Sequence, residues 1–253
     1  MQKSDLQRKL TELFRPNAFK DYAPNGLQVE GKEQIYKIVT GVTASKALID
    51  IAIKKNADAI IVHHGYFWKG ESPQITGMKY QRIAALIKSD INLFGYHLPM
   101  DAHLQVGNNA NLARAIGLTE LRPLEEGKSL DESIGIVGTL VESERPDDFS
   151  TRLSKLVGRD VLFENVGDKL IREVALCTGG AQGYIGKAID CGADVFITGE
   201  VSEQTIHIAR EEGIHFCAAG HHATECYGPR ALAEYINANW GVECEFVDVP
   251  NPA

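Results

Sequence analysis

Five of the eight histidines fall where apolar runs end. His63 and His64 follow residues 59–62 directly, His97 follows Tyr96, and His221 and His222 come just after a run that closes at Ala219. Carboxylates accompany them, in His97-Leu98-Pro99-Met100-Asp101 and in Gly220-His221-His222-Ala223-Thr224-Glu225. Imidazole nitrogens with carboxylate oxygens and no thiolates suit zinc, manganese or iron rather than calcium or an iron–sulfur cluster. Five ligands of these types exceed the three that a mononuclear catalytic site uses. If Asp101 or Glu225 bridges, the set can hold two divalent ions roughly 3.5–4 Å apart, which together can activate a water and stabilise developing negative charge.

Each motif alone has a plainer reading. Adjacent strand residues point to opposite faces, so His63 and His64 aim at one centre only if the strand has ended; a surface pair at a strand-to-loop junction fits equally. Pro99 opposes a simple helix, which puts the His97–Asp101 spacing on a loop. Gly220 would start a helix on which His221 and Glu225, at i and i+4, share one face. His103, His207 and His215 lack such company and read as structural. Residues Tyr66-Phe67-Trp68 fit either a core or the wall of a cleft.

Apolar runs near 38–42, 59–62 and 91–96 alternate with helical patterns near 47–55 and 79–88, after an opening amphipathic helix with Leu6, Leu10, Leu13 and Phe14 on one stripe. Such alternation predicts an α/β fold with mostly parallel sheets and flanking helices. Residues 37–64 also align without a gap on 173–200, at a constant offset that brings Ala52, Ile53, Ala57, Asp58 and Ile61 onto Ala188, Ile189, Ala193, Asp194 and Ile197. This suggests two similar halves related by internal duplication, residues 1–124 and 125–253, with a polar, Gly-containing boundary at 124–131 and the site in the cleft between them. The alignment carries Glu200 to the position of His64, so Glu200 is a candidate to orient or deprotonate a water; a surface glutamate is the plainer reading. The loop Thr178-Gly179-Gly180-Ala181-Gln182-Gly183 fits tight-turn packing or a phosphate cradle.

With Lys+Arg at 26 and Asp+Glu at 34, the net charge of −8 has the wrong sign for non-specific nucleic-acid binding. No run approaches the roughly 18 apolar residues of a membrane span, and the charged first residues do not read as a secretory signal, so no membrane partner and a cytoplasmic location are expected. Five cysteines without a CxxC pair read as reduced thiols. Two divalent ions would leave the local site cationic and selective for an anionic small molecule. The residues thus point to a metal-dependent hydrolase. The alternative from another class is a metal-binding assembly or partner-binding protein without catalysis.

The motifs Asp21-Tyr22-Ala23-Pro24-Asn25-Gly26-Leu27-Gln28-Val29, Val62-His63-His64-Gly65, His97-Leu98-Pro99-Met100-Asp101, Ile197-Thr198-Gly199-Glu200 and Gly220-His221-His222-Ala223-Thr224-Glu225 together closely resemble the Nif-three-like family of GTP cyclohydrolase I type 2 homologues. The resemblance covers nearly the whole chain. It implies an α/β fold of two similar halves, a dinuclear metal centre held by His63, His64, Asp101, His221 and Glu225, and a ring-shaped homohexamer. His97 matches a family position next to the centre and joins Glu200 as a candidate catalytic residue. The inserted domain of longer members has no room between Arg122 and Ile171.

Overall fold

The computed structural model describes residues 1–253. In chain order the strands are β1 (Gly26–Val29), β2 (Lys37–Thr43), β3 (Ala59–His64), β4 (Asn92–Gly95), β5 (Leu118–Pro123), β6 (Ile136–Glu144), β7 (Leu162–Glu164), β8 (Ile171–Leu176), β9 (Val195–Thr198), β10 (His215–Ala218) and β11 (Glu243–Phe246). The helices are α1 (Lys3–Phe14), α2 (Lys46–Lys54), α3 (Gly77–Lys88), α4 (Leu98–Ala102), α5 (Asn108–Ile116), α6 (Pro146–Val157), α7 (Ile185–Asp190), α8 (Glu203–Glu212), α9 (His221–Glu225) and α10 (Tyr227–Asn239).

The chain forms two compact units. The first comprises residues 1–100 and 228–249, the second residues 101–227 and 250–253. They do not divide at the expected 124/125. Strand β5 pairs with β6 and so belongs to the second unit, while β11 returns from the far end of the chain to pair with β2. Neither pairing leaves a local sequence signal.

The first unit holds a five-stranded sheet in the order β1-β4-β3-β2-β11, parallel except for β1. Val39, Ile60, Val62 and Leu93 bury one face against Leu48, Ile49 and Ala52 of α2 and Ile83 and Leu86 of α3. Leu6, Leu10 and Phe14 of α1 are buried as their spacing predicts, and Ser45 caps α2 by accepting a hydrogen bond from Leu48 N. The second unit holds a six-stranded sheet in the order β5-β6-β8-β9-β10-β7. Only β8-β9 and β9-β10 are parallel, so this sheet is mixed where a mostly parallel one was expected. Its faces show the period of two: Val174 and Leu176 pack towards Leu112 of α5 and Phe149 of α6, while Ala175 packs towards Ile185 and Ala188 of α7.

One local arrangement recurs in both units at the aligned positions. Asp58 Oδ2 accepts from Tyr36 N (2.7 Å) and Lys37 N (3.0 Å), with Lys32 Nζ at 2.9 Å from its other oxygen. Asp194 Oδ2 accepts from Arg172 N (2.9 Å) and Glu173 N (2.8 Å), with Lys169 Nζ at 3.0 Å from its other oxygen. Each carboxylate thus pins the start of one strand to the start of its parallel neighbour. Burial pushes both pKa values up, but the backbone and lysine donors outweigh it and hold them below the ordinary carboxylate value. A depressed pKa stabilises the fold above the unfolded-state value and loses that contribution as pH falls through the folded one. Asp58→Asn and Asp194→Asn should each cost roughly 1–3 kcal/mol at neutral pH and flatten the acid limb of the stability curve. Urea midpoints from pH 7 down to 3 check this, and an unchanged acid limb in both variants would contradict it.

Candidate metal centre

In the first unit the sheet delivers its imidazoles at the carboxyl ends of β3 and β4. His63 and His64 close β3, and His97 follows β4 by two residues. One ligand-type nitrogen from each of the three lies within 4.8 Å of the others. Ladder pairing runs as far as His64, opposite Thr43, yet the rings of His63 and His64 are only 4.4 Å apart. The alternation that would send them to opposite faces therefore lapses at the strand's last residue.

His97 is set by residues 76 and 72 positions earlier. Its Nδ1–H donates to Asp21 Oδ1 at 2.9 Å, and its backbone N donates to Asn25 Oδ1 at 2.7 Å. Asp21 also accepts from Ala23 N, Asn25 Nδ2 and Leu98 N. Burial raises the Asp21 pKa, but His97 and the other donors more than reverse this and keep it far below the usual carboxylate range. An ionised Asp21 fixes His97 in the Nδ1–H tautomer and leaves Nε2 as the ring's acceptor. Sequence reasoning gives neither Asp21 nor Asn25 a role of its own; the Asp-x-x-x-Asn-Gly turn chemistry is the signal that could have done so.

The second unit contributes Asp101, His221, Glu225 and Glu200. Asp101 lies in α4, a short helix where a loop was expected. Pro99 is accommodated because it sits in the first turn, where its missing N–H costs nothing. Asp101 Oδ1 accepts from Asn108 Nδ2 (2.9 Å) and Thr178 Oγ1 (3.2 Å), and Asn109 Nδ2 holds the Asp101 carbonyl. Gly220 does start a helix, α9, on which His221 Nε2 lies 3.2 Å from Glu225 Oε2. Asp101 and Glu225 are both buried, with carboxylate oxygens within 4.8 Å of each other. Two ionised carboxylates this close repel one another in a low-dielectric site, and a divalent cation offsets that repulsion.

His221 is held from both sides. Its Nδ1 donates to Glu200 Oε1 at 2.7 Å, so the structure places Glu200 on the imidazole. The hydrogen bond to Glu225, opposed by burial and reinforced by Glu200, raises the His221 pKa to about 9. In the glycine loop at 178–183, three backbone amides are committed to packing contacts. Thr178 N donates to Asn109, Gly179 N to Thr224 Oγ1 and Ala181 N to Thr198 Oγ1. Glu200 also stands against Gly180, which disfavours a phosphate there.

The remaining candidates separate cleanly. His215 is buried between Val166 N and Lys169 O, and His103 Nδ1 accepts from Gln105 N and Val106 N in a turn. All five cysteines are thiols, as expected; burial, reinforced by the negative charges of Asp101, Glu125 and Glu225, raises the Cys177 thiol well above its ordinary value. Cys226 Sγ lies 3.4 Å from His222 Nε2.

The fold and these sites define the class: an α/β protein with histidines gathered at strand ends in its first unit and a histidine gathered with carboxylates in its second. Residues 1–252 match the Duf34/NIF3 (NGG1p interacting factor 3) family, and the chain belongs to that family. It is 53% identical over 255 residues to a protein of Haemophilus influenzae called GTP cyclohydrolase 1 type 2 homolog, and 51% identical over 254 residues to one of that name in Escherichia coli K12, covering 100% of each chain in both cases. Among solved structures, protein ybgI, described as of unknown function, matches at a TM-score of 0.95 and 50% identity over 100% of both chains. TTHA1606 from Thermus thermophilus matches at 0.90 and 35%, also over 100% of both. No helix is long and apolar enough to cross a membrane.

Proposed function

We propose that this chain is a metal-dependent hydrolase of the cytoplasm, acting on a nucleotide-like or other anionic small molecule. The observation that carries the reading is the donor chemistry: clustered imidazoles in the first unit, and two buried carboxylates with a doubly held imidazole in the second. His63, His64, Asp101, His221 and Glu225 would hold two divalent ions of the zinc, manganese or iron type. Bound there, such ions supply an activated water and charge stabilisation for the leaving oxygen. Thr178 and Asn108 orient the Asp101 carboxylate, Glu200 orients His221, and Asp21 orients His97. With its Nδ1–H committed to Asp21, His97 offers Nε2 to take or return a proton during the reaction. The name shared by the relatives from Haemophilus influenzae and Escherichia coli supports hydrolysis at a nucleotide.

Metal analysis of protein purified without chelator should give two equivalents per chain. A nucleotide panel with each metal restored should then release formate if a purine ring is opened, or phosphate if an ester is cleaved. One equivalent or none would overturn the two-metal assignment. Two equivalents with no turnover of any nucleotide, nor of a panel of other anionic small molecules, would overturn the hydrolase in favour of a metal-binding assembly protein. We also propose a homohexamer. Light scattering at low micromolar concentration should then give a mass several times 27.7 kDa, and a monomer would exclude it.

A further inference from the structure

The first unit builds an aromatic feature against His97 that the metal chemistry does not use. The rings of Tyr22 and Trp68 each stand 5.0 Å from the His97 ring, steeply inclined to it at 72° and 80°. They lie 5.6 Å from one another, and Trp68 is 5.7 Å from His64. Tyr22 is 56% exposed.

The loop carrying Trp68 is specially constructed. Phe67 takes a left-handed φ of +66°, uncommon for a bulky aromatic residue and a conformation that persists only where surrounding contacts enforce it. Those contacts are present. Glu71 Oε2 accepts from both Phe67 N (2.9 Å) and Trp68 N (3.2 Å), and the Trp68 indole N–H donates to Gly65 O (3.2 Å). Lys79 Nζ lies 3.4 Å from Glu71 Oε2, donates to Ser72 O at 2.9 Å and sits 5.0 Å above the Phe67 ring. Lys69 N donates to Tyr22 O at 2.8 Å, tying the two aromatic segments together. Strain held in place by this many contacts, beside exposed aromatic surface, is found at ligand clamps and active sites.

We propose that Tyr22 and Trp68 form a stacking platform for a planar heteroaromatic ring, the base of a nucleoside-like ligand. This rests on the hydrolase reading and deepens it by naming the part of the substrate that is gripped. Both rings lie beside His97, and Trp68 also lies beside His64, so a base stacked on them sits next to the imidazole cluster. The imidazole cluster, and any ions it holds, disfavour an organic cation, leaving a neutral ring or one joined to an anionic group.

The test uses guanosine and adenosine, which carry no phosphate, on the full chain as purified and again after chelation. In a Trp240→Phe background Trp68 is the only tryptophan, and its emission should be quenched saturably by both nucleosides and not by ribose. Tyr22→Ala should weaken binding roughly 5- to 100-fold, the scale of one base–aromatic stack. Equilibrium dialysis of guanosine against wild-type protein and Trp68→Ala checks the same loss without the fluorescence background. No saturable binding, binding unchanged in both alanine variants, or displacement by tetramethylammonium alone would overturn the proposal. Trp68 emission that changes with protein concentration and excludes guanosine would overturn it too, by showing a second copy over the platform. Ring binding without metal-dependent turnover would sink the hydrolase and leave the platform; turnover of nucleotides unaffected by Tyr22→Ala would do the reverse.

Discussion

Gly179→Ala is expected to cost roughly 2–5 kcal/mol of stability and to displace the candidate ligands Glu225 and His221, the combined result of backbone strain and a clash with a buried side chain. Gly179 has φ +69°, and a methyl group there would run into Glu225 Oε1 and come within 3.2 Å of His221 Nε2. The backbone cannot retreat without further loss. Gly179 N donates to Thr224 Oγ1 at 3.1 Å, and its carbonyl accepts from Gly199 N at 2.8 Å and Thr198 Oγ1 at 3.0 Å. Gly180→Ala is the control, because the nearest atoms its methyl group would meet belong to Glu200, at an ordinary 3.4 Å. Denaturant midpoints and metal content of the two variants decide the matter. A Gly179→Ala protein with the wild-type midpoint and full metal content would show that Glu225 is not fixed where the structure has it.

What the sequence made legible was whatever depends on local periodicity or spacing. Apolar runs located β2, β3, β4 and β10, and the ungapped internal alignment paired Asp58 with Asp194, which make equivalent hydrogen bonds to the strand starts. The i, i+4 spacing put His221 and Glu225 on one helical face, as found. Long-range pairing was not legible. Strand β7 is three residues long and antiparallel to β10, and β11 joins a sheet whose other strands are over within the first hundred residues. The groups that hold the candidate ligands were hidden for the same reason. Asp21 meets His97 across 76 positions and Thr178 meets Asp101 across 77, contacts that only the folded chain creates. The alignment of Glu200 with His64 predicted a place near the chemistry, but it could not say that an imidazole would be its partner.

That partner gives Glu200→Gln its expected result. In the metal-free protein His221 lies between Glu200 and Glu225, and its pKa of about 9 means that it carries both ring protons at neutral pH. Holding an ion through Nε2 requires that ring position to lose its proton, so uptake should release protons and weaken as pH falls. Glu200 keeps the Nδ1 proton in place throughout, fixing the tautomer and making the ring a stronger donor. Glutamine retains an oxygen that can accept the Nδ1–H but removes the charge. Metal affinity should therefore fall by roughly 10- to 100-fold, the usual cost of losing a carboxylate behind a ligating histidine, and excess metal should restore occupancy. Titration with a competing chelator measures the first effect, and proton release on metal addition, followed from pH 6 to 9, reports the His221 proton directly. If affinity is unchanged while kcat at full occupancy falls by roughly 10²-fold, Glu200 takes a proton from the reacting water instead of positioning His221. If neither changes, the 2.7 Å bond to His221 does no functional work.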